Sequence, residues 1–209
     1  MYISLEGIDG CGKSSVLDKI AEKHPGCIVT KEPQGIFRDM VLDKDNKYGI
    51  DEMARMLLFQ ADRAVHIKNV VEPNWDKLIL CSRGVLSTLA YQTITTGLEV
   101  DTLLNISKIA SRGFMPNAIL LFNVSFETAK QRMSTREKGA EDYFDRKGKD
   151  FFDALINRYR VYGEELSMKH GIPVININTE DKNLEEVVVK TQEILKNMLD
   201  KKCNGTCGY

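Results

Sequence analysis

The chain has 209 residues, 43% of them hydrophobic and 28% charged, with a formal net charge of −1. That length suits one domain with a sizeable core, and the near-neutral balance lacks the basic excess that would point to nucleic acid as a partner. The N-terminus MYISLEG has no basic leader, and no apolar run approaches membrane-spanning length, so a cytoplasmic protein without nucleic-acid or membrane partners is expected.

In chain order, the apolar run from Tyr2 predicts a short buried strand over about 2–6, and helical residues follow from Gly12 over about 12–22. Between them Gly7-Ile8-Asp9-Gly10-Cys11-Gly12-Lys13-Ser14 meets G-x-x-x-x-G-K-[ST] at every fixed position. The glycines let successive N–H groups face inward, the helix N-terminus adds partial positive charge, and Lys13 reaches the β/γ-phosphates. Gly7, Gly10, Cys11, Gly12, Lys13, Ser14 and Ser15 are therefore the expected triphosphate-binding set. The Ser14 hydroxyl stands where this motif ligates Mg²⁺.

Further Ile/Val/Leu runs predict strands over about 27–30, 78–82, 118–124 and 173–177. Helical segments separate them over about 36–43, 50–71, 85–96, 99–112, 125–136, 146–169 and 183–200. None of the strands alternates strongly, as expected for strands buried on both faces. The fold class is thus α/β, a parallel sheet covered by helices on both sides. Ligands on such sheets sit at the carboxyl ends of the strands, which directs attention to residues 7–14, 30–38, 82–92 and 125–146.

Each of these regions carries chemistry. After the second strand, Thr30-Lys31-Glu32-Pro33-Gln34-Gly35 breaks into a loop, and Arg38 follows on a first helical turn, where it clamps an anion or meets solvent. In the 50–71 helix, Ala54, Leu58, Ala61 and Val65 form the expected core stripe. Phe59 and Arg63 share a second face that suits a nucleobase by stacking and donation, with plain core as the alternative for Phe59. The third strand delivers Arg83, and Thr88, Tyr91 and Gln92 then place a hydroxyl, a phenol and an amide on one helix face.

Arg132 and Arg136 lie one turn apart ahead of a polar run, Glu137–Arg146, that reads as a mobile lid of about 136–148 closing Arg132, Arg136 and Arg146 over phosphates. Asn157–Leu166 and the 183–200 helix read as structural. Cys27 and Cys81 read as small buried hydrophobes, and Cys203 and Cys207 lie in a polar tail, 201–209, that reads as a frayed terminus.

With these motifs assembled, the chain resembles the thymidylate kinase family from Met1 to about residue 200. The resemblance implies a P-loop NTPase-type five-stranded parallel sheet in one nucleoside monophosphate kinase-like domain, usually a homodimer. It also implies transfer of the ATP γ-phosphoryl to dTMP, giving dTDP and ADP, with Mg²⁺. By position, Phe59 would stack on thymine and Arg63 bond its 4-carbonyl. Thr88 and Gln92 would address the thymine or phosphate edge, and Tyr91 would crowd the sugar 2′ position. Asp9 would hold the 3′-hydroxyl, Arg38 and Arg83 the acceptor phosphate, and Glu32 and Pro33 belong to the acceptor loop. No basic residue stands among Ile8, Asp9, Gly10 and Cys11, so the lid arginines would serve the donor, as in the type II-like subtype.

The chain departs from the family at Gln34, where the loop usually reads E-P-G-G-T, and at Ser82, where an Asp usually precedes the Arg and helps position Mg²⁺. Thr95-Thr96-Gly97 replaces a stretch that usually carries a basic residue. Three other readings stay open: a kinase of another deoxynucleoside monophosphate, a nucleotide-binding regulatory protein with impaired catalysis, and a GTPase-type switch. Against the last, the nearest string to N-K-x-D, Asn46-Lys47-Tyr48-Gly49, ends in Gly.

Overall fold

The computed structural model describes residues 1–134 and 143–203. Five parallel strands, β1 (Tyr2–Glu6), β2 (Ile28–Lys31), β3 (Ile79–Ser82), β4 (Ala118–Asn123) and β5 (Val174–Asn178), form one sheet in the order β2-β3-β1-β4-β5. Among the described residues, eight α-helices connect and cover them: α1 (Lys13–Lys23), α2 (Gly35–Val41), α3 (Glu52–His66), α4 (Val85–Thr96), α5 (Val100–Ala110), α6 (Phe126–Ser134), α7 (Lys149–His170) and α8 (Leu184–Cys203). The expected elements are all present, within a few residues at their ends; α8 runs through Cys203, past the expected start of the tail.

The central strand β1 is buried throughout and packs Ile3 and Leu5 between its neighbours, with Leu5 in register with Ser82 on one side and Leu120 on the other. The chain leaves β1 towards β2 on one flank, and leaves β3 towards β4 on the other. A crevice therefore opens above the adjacent ends of β1 and β3, where the phosphate loop and Arg83 emerge. The expectation that all strands are buried on both faces fails at β2 and β5, which are half exposed. These are the sheet's edges, and each has a neighbour on one side only.

The stretch expected as one helix over 50–71 is α3 followed by a π-helical turn (Ile67–Val71) and a 3-10 turn (Glu72–Asn74). Pro73 lies in that last turn and has no N–H with which to continue an α-helix. The expected core stripe is also displaced. Ala54, Leu58 and Ala61 are half-buried and Val65 is exposed, whereas Arg55, Met56, Gln60, Asp62, Arg63 and His66 are buried. Hydrophobic periodicity misplaces the face because α3 turns polar side chains inward, onto the β2 end and its loop.

Two glycines fix how closely the phosphate loop sits on the sheet. A Cβ at Gly7 (φ +136°) would stand 2.5 Å from the Phe122 carbonyl oxygen, and one at Gly10 (φ +81°) would stand 2.4 Å from the Ala129 carbonyl oxygen of α6. Both obstacles are backbone, so neither gives way easily. Gly10→Ala is expected to destabilise the protein by roughly 2–4 kcal/mol, combining left-handed strain with a backbone clash. Urea unfolding measures this, and Gly12→Ala, where the Cβ meets nothing within 4 Å, is expected to lose only the smaller left-handed strain.

Candidate active site

Above the ends of β1 and β3 lies a cavity of about 680 Å³. Its floor is the phosphate loop, with Gly10, Cys11, Gly12, Lys13, Ser14 and Ser15 in its lining. Lys13 Nζ donates to the carbonyl oxygens of Gly7 and Ile8, both at 2.8 Å, and lies 3.2 Å from Cys11 Sγ. Gly7 itself sits behind the lining and contributes its carbonyl oxygen. Ser14 and Ser15 are exposed on the first turn of α1.

Arg83 bridges the floor and the far wall. Its backbone is left-handed (φ 72°), uncommon for a residue with a side chain. Its Nη2 donates to Asp9 Oδ1 at 2.6 Å and Tyr91 OH at 3.3 Å. Its Nη1 donates to the Gly7 carbonyl at 3.3 Å, Ser87 Oγ at 3.3 Å and Tyr159 OH at 3.0 Å. Tyr91 OH in turn donates to Asp9 Oδ2 at 3.0 Å. Burial pushes the Asp9 carboxyl up, but the Arg83 and Lys13 charges outweigh it and hold Asp9 well below the usual carboxylate range. The two residues read from sequence as holders of different substrate groups are thus each other's partner.

The opposite end is lined by Glu32, Pro33, Arg38, Phe59, Arg63, Thr88, Tyr91 and Gln92. Arg63 is fixed by Glu32 Oε2, which accepts from Nε at 3.0 Å and Nη2 at 2.8 Å, while Nη1 donates to Gln60 Oε1 at 3.3 Å and Ser107 Oγ at 3.1 Å. Burial pushes the Glu32 carboxyl up, yet Arg63 and His66 hold it below its ordinary value. Thr88, Tyr91 and Gln92 are buried along α4 rather than solvated.

Arg132 lines the other flank and donates to Thr179 through Nη2 (to the carbonyl, 2.7 Å) and Nη1 (to Oγ1, 3.2 Å). Arg136 lies outside the described residues, as does most of the expected lid. The segment from Tyr143 onward is anchored, contrary to the expectation of a polar run with few apolar contacts. Tyr143 N–H donates to the Leu42 carbonyl at 3.1 Å, and the Phe144 ring packs edge-on to Tyr91 with centroids 4.9 Å apart. Arg146 does not face the cavity: it donates to the Lys44 carbonyl at 3.0 Å and pairs with Asp45 at 3.4 Å. A long guanidinium beside a carbonyl and a carboxylate is satisfied there. Cys27 is half-buried rather than buried.

Several lining residues escaped the sequence reading: Lys31, Leu42, Phe144, Thr179, Lys182, Asn183, Leu184 and Val187. Thr179 to Asn183 follow β5 at its carboxyl end, so the strand-end rule points there too. Tyr159, from a stretch read as structural, carried no local signal.

Asp62 ties down the loop after β2. Its Oδ1 accepts from the Gln34 N–H at 2.8 Å, and its Oδ2 is buried without a hydrogen-bond partner among the described residues. Burial, with Glu32 nearby, pushes its carboxyl up from 3.8 to about 6. Between those values the folded protein keeps a proton that the unfolded chain has released, so stability falls as pH rises through this window. Asp62→Asn removes that titration. Denaturation at pH 4 and pH 7 is expected to shift the stability difference in favour of the variant by about 1–2 kcal/mol, part of the full linkage.

The thymidylate kinase family profile matches residues 5–189. The chain is 36% identical over 186 residues to the thymidylate kinase of Sulfurovum sp. (strain NBC37-1), covering 87% of this chain and 92% of that protein. It is 34% identical over 186 residues to that of Aliarcobacter butzleri, covering 87% and 94% respectively, and 32% identical over 208 residues to that of Finegoldia magna, covering 94% and 98%. The phosphate loop and the Phe59–Arg63 wall thus open into one cavity in a chain that, by profile and by relatives along nearly its whole length, belongs to the thymidylate kinase family.

Proposed function

We propose that this chain, by family an ATP-dependent kinase of dTMP, seats its two nucleotides end to end in this cavity, with ATP over the phosphate loop and dTMP against α3 and α4. The observation that carries this reading is that Lys13, Arg83 and the Phe59–Arg63 face line one continuous space. The acceptor phosphate is already anionic near neutral pH, so the reaction needs alignment and charge neutralisation rather than a general base. Lys13 and the lid-side arginines Arg132 and Arg136 offset charge on the transferring group, as in the type II-like subtype. Arg83 and Arg38 hold the attacking phosphate in line, and Asp9 turns to the 3′-hydroxyl as the phosphate takes its place at Arg83 Nη2.

The donor set suits Mg²⁺: the exposed Ser14 hydroxyl, the Ser82 hydroxyl and the Asp9 carboxylate are hard oxygen ligands that line the cavity together. When bound, the ion neutralises phosphate charge, with Ser14 as its direct protein ligand.

Base selection rests on a count of donors. Four N–H groups of Arg63 are engaged, two with Glu32, one with Gln60 and one with Ser107. A guanidinium has five, so one Nη2 N–H, without a hydrogen-bond partner among the described residues, is left for the 4-carbonyl of thymine stacked on Phe59. The 4-amino group of cytosine is a donor and meets it unfavourably.

A single domain over 1–200, working in the cytoplasm as a homodimer, completes the reading. Supporting the dimer, Met53, Leu57 and Val65 are 41%, 53% and 46% exposed at four- and eight-residue steps on α3, and Ile109 on the neighbouring α5 is 79% exposed. Such an apolar stripe suits a second copy of the chain. No helix of the described residues is long and apolar enough to cross a membrane.

Coupled measurement of ADP release with dTMP, ATP and Mg²⁺ tests the activity. Lys13→Ala is expected to lose about a hundredfold or more of kcat, and Phe59→Ala to raise KM for dTMP about tenfold or more with less effect on KM for ATP. An unchanged acceptor KM removes Phe59 from the base site. Leu57→Asp is expected to convert a dimeric species to monomer in sedimentation velocity, and a monomeric wild type rejects the dimer.

A further inference from the structure

The mechanism asks Arg83 to change partners at its Nη2 edge without moving, and the opposite edge is held by residues to which no role has yet been given. Nη1 faces Tyr159 OH at 3.0 Å and Ser87 Oγ at 3.3 Å, and these two hydroxyls lie 2.8 Å apart. Ser87 also meets Glu6 Oε2 through its hydroxyl, and its backbone N–H donates to the same oxygen at 3.1 Å.

The direction of each bond is forced. A guanidinium only donates, so Tyr159 OH accepts from Arg83 and must spend its own proton elsewhere. Glu6 Oε2 accepts both the Ser87 N–H and the Ser87 hydroxyl proton. Ser87 Oγ is then left to accept from Tyr159. The chain runs one way: Arg83 to Tyr159 to Ser87 to Glu6.

We propose that Tyr159 is a positioning residue for Arg83, acting with Ser87 and the buried Glu6 carboxylate to hold the guanidinium plane while the acceptor phosphate displaces Asp9 from the other edge. Tyr159 reaches the site from the middle of α7, where it is 2% exposed and its ring meets Tyr91 edge-on at 6.3 Å. A phenylalanine there fills the same space and removes only the polar link. The left-handed backbone of Arg83 fits the same picture, since surrounding contacts must hold an unfavourable conformation in place. The proposal rests on Arg83 holding the acceptor phosphate.

The test measures dTMP affinity by titration calorimetry, steady-state constants for both nucleotides, and thermal unfolding. Loss of one hydrogen bond to a charged group predicts that Tyr159→Phe lowers kcat/KM for dTMP by roughly 10-fold or more. KM for ATP is expected to stay within about twofold and Tm within a few degrees. In an Arg83→Lys background, Tyr159→Phe is expected to weaken dTMP binding by less than about twofold more, because the two residues act as a unit.

Wild-type kcat/KM for Tyr159→Phe overturns the proposal, as does an equal loss in the Arg83→Lys background. Arg83→Lys with wild-type dTMP affinity and turnover overturns the acceptor reading itself, a result distinct from failure of the relay alone. If Tyr159→Phe does not fold, Ser87→Ala breaks the next link, and an unaltered kcat/KM for dTMP in that variant overturns the proposal.

Discussion

An arginine cannot shed its charge, so every guanidinium buried around this cavity has to be met by acceptors that other elements bring to it. Arg63, on α3, is met by Glu32 from the end of β2; Arg83, after β3, is met by Asp9 from the loop after β1. The two carboxylates leave neighbouring parts of one parallel sheet, and the sheet's register sets how far apart the two guanidinium groups stand. Burial disfavours the charged form of Arg83, yet the nearby Asp9 carboxylate outweighs it and raises the Arg83 pKa. The cavity is therefore a place where positive charge is permanent, held by the counter-charges of Asp9 and Glu32.

α3 shows the cost of that arrangement in shape. His66 Nδ1 lies 2.8 Å from Glu32 Oε1 and Nε2 lies 3.0 Å from Thr30 Oγ1. Since the Glu32 carboxylate only accepts, Nδ1 donates to it, and Nε2 shares a hydrogen bond with the Thr30 hydroxyl. This ties the last turn of α3 to the end of β2 directly before the π turn begins at Ile67. A helix whose inward face is committed to ionic partners presents its apolar residues outward, which is why Met53, Leu57 and Val65 are exposed.

The segment after the undescribed 135–142 stretch packs against α3 and α4. The Tyr143 ring lies over the Arg55 guanidinium at 3.7 Å, its hydroxyl donates to Glu52, and Arg55, fully buried, donates to the Val41 carbonyl. Phe144 stands between Phe59 and Tyr91, with ring centroids 6.4 Å and 4.9 Å away. Phe144, which closes one wall of the cavity, is thus near in sequence to Arg136, expected over phosphates.

The phosphate loop, the alternation of strands and helices and the polar face of α4 were legible in the amino-acid sequence because their chemistry is local. Eight consecutive residues make the cradle, and i, i+3, i+4 spacing aligns Thr88, Tyr91 and Gln92 whatever surrounds them. The inward face of α3, the docking of Tyr143 and Phe144, the outward turn of Arg146 and the reach of Tyr159 to Arg83 were decided only by tertiary structure. Each depends on a partner far away in the chain, 76 positions for Tyr159 and Arg83 and 91 for Tyr143 and Glu52. A periodic pattern states which residues share a face, but whether that face is apolar core or a satisfied polar contact depends on what the rest of the fold carries to meet it.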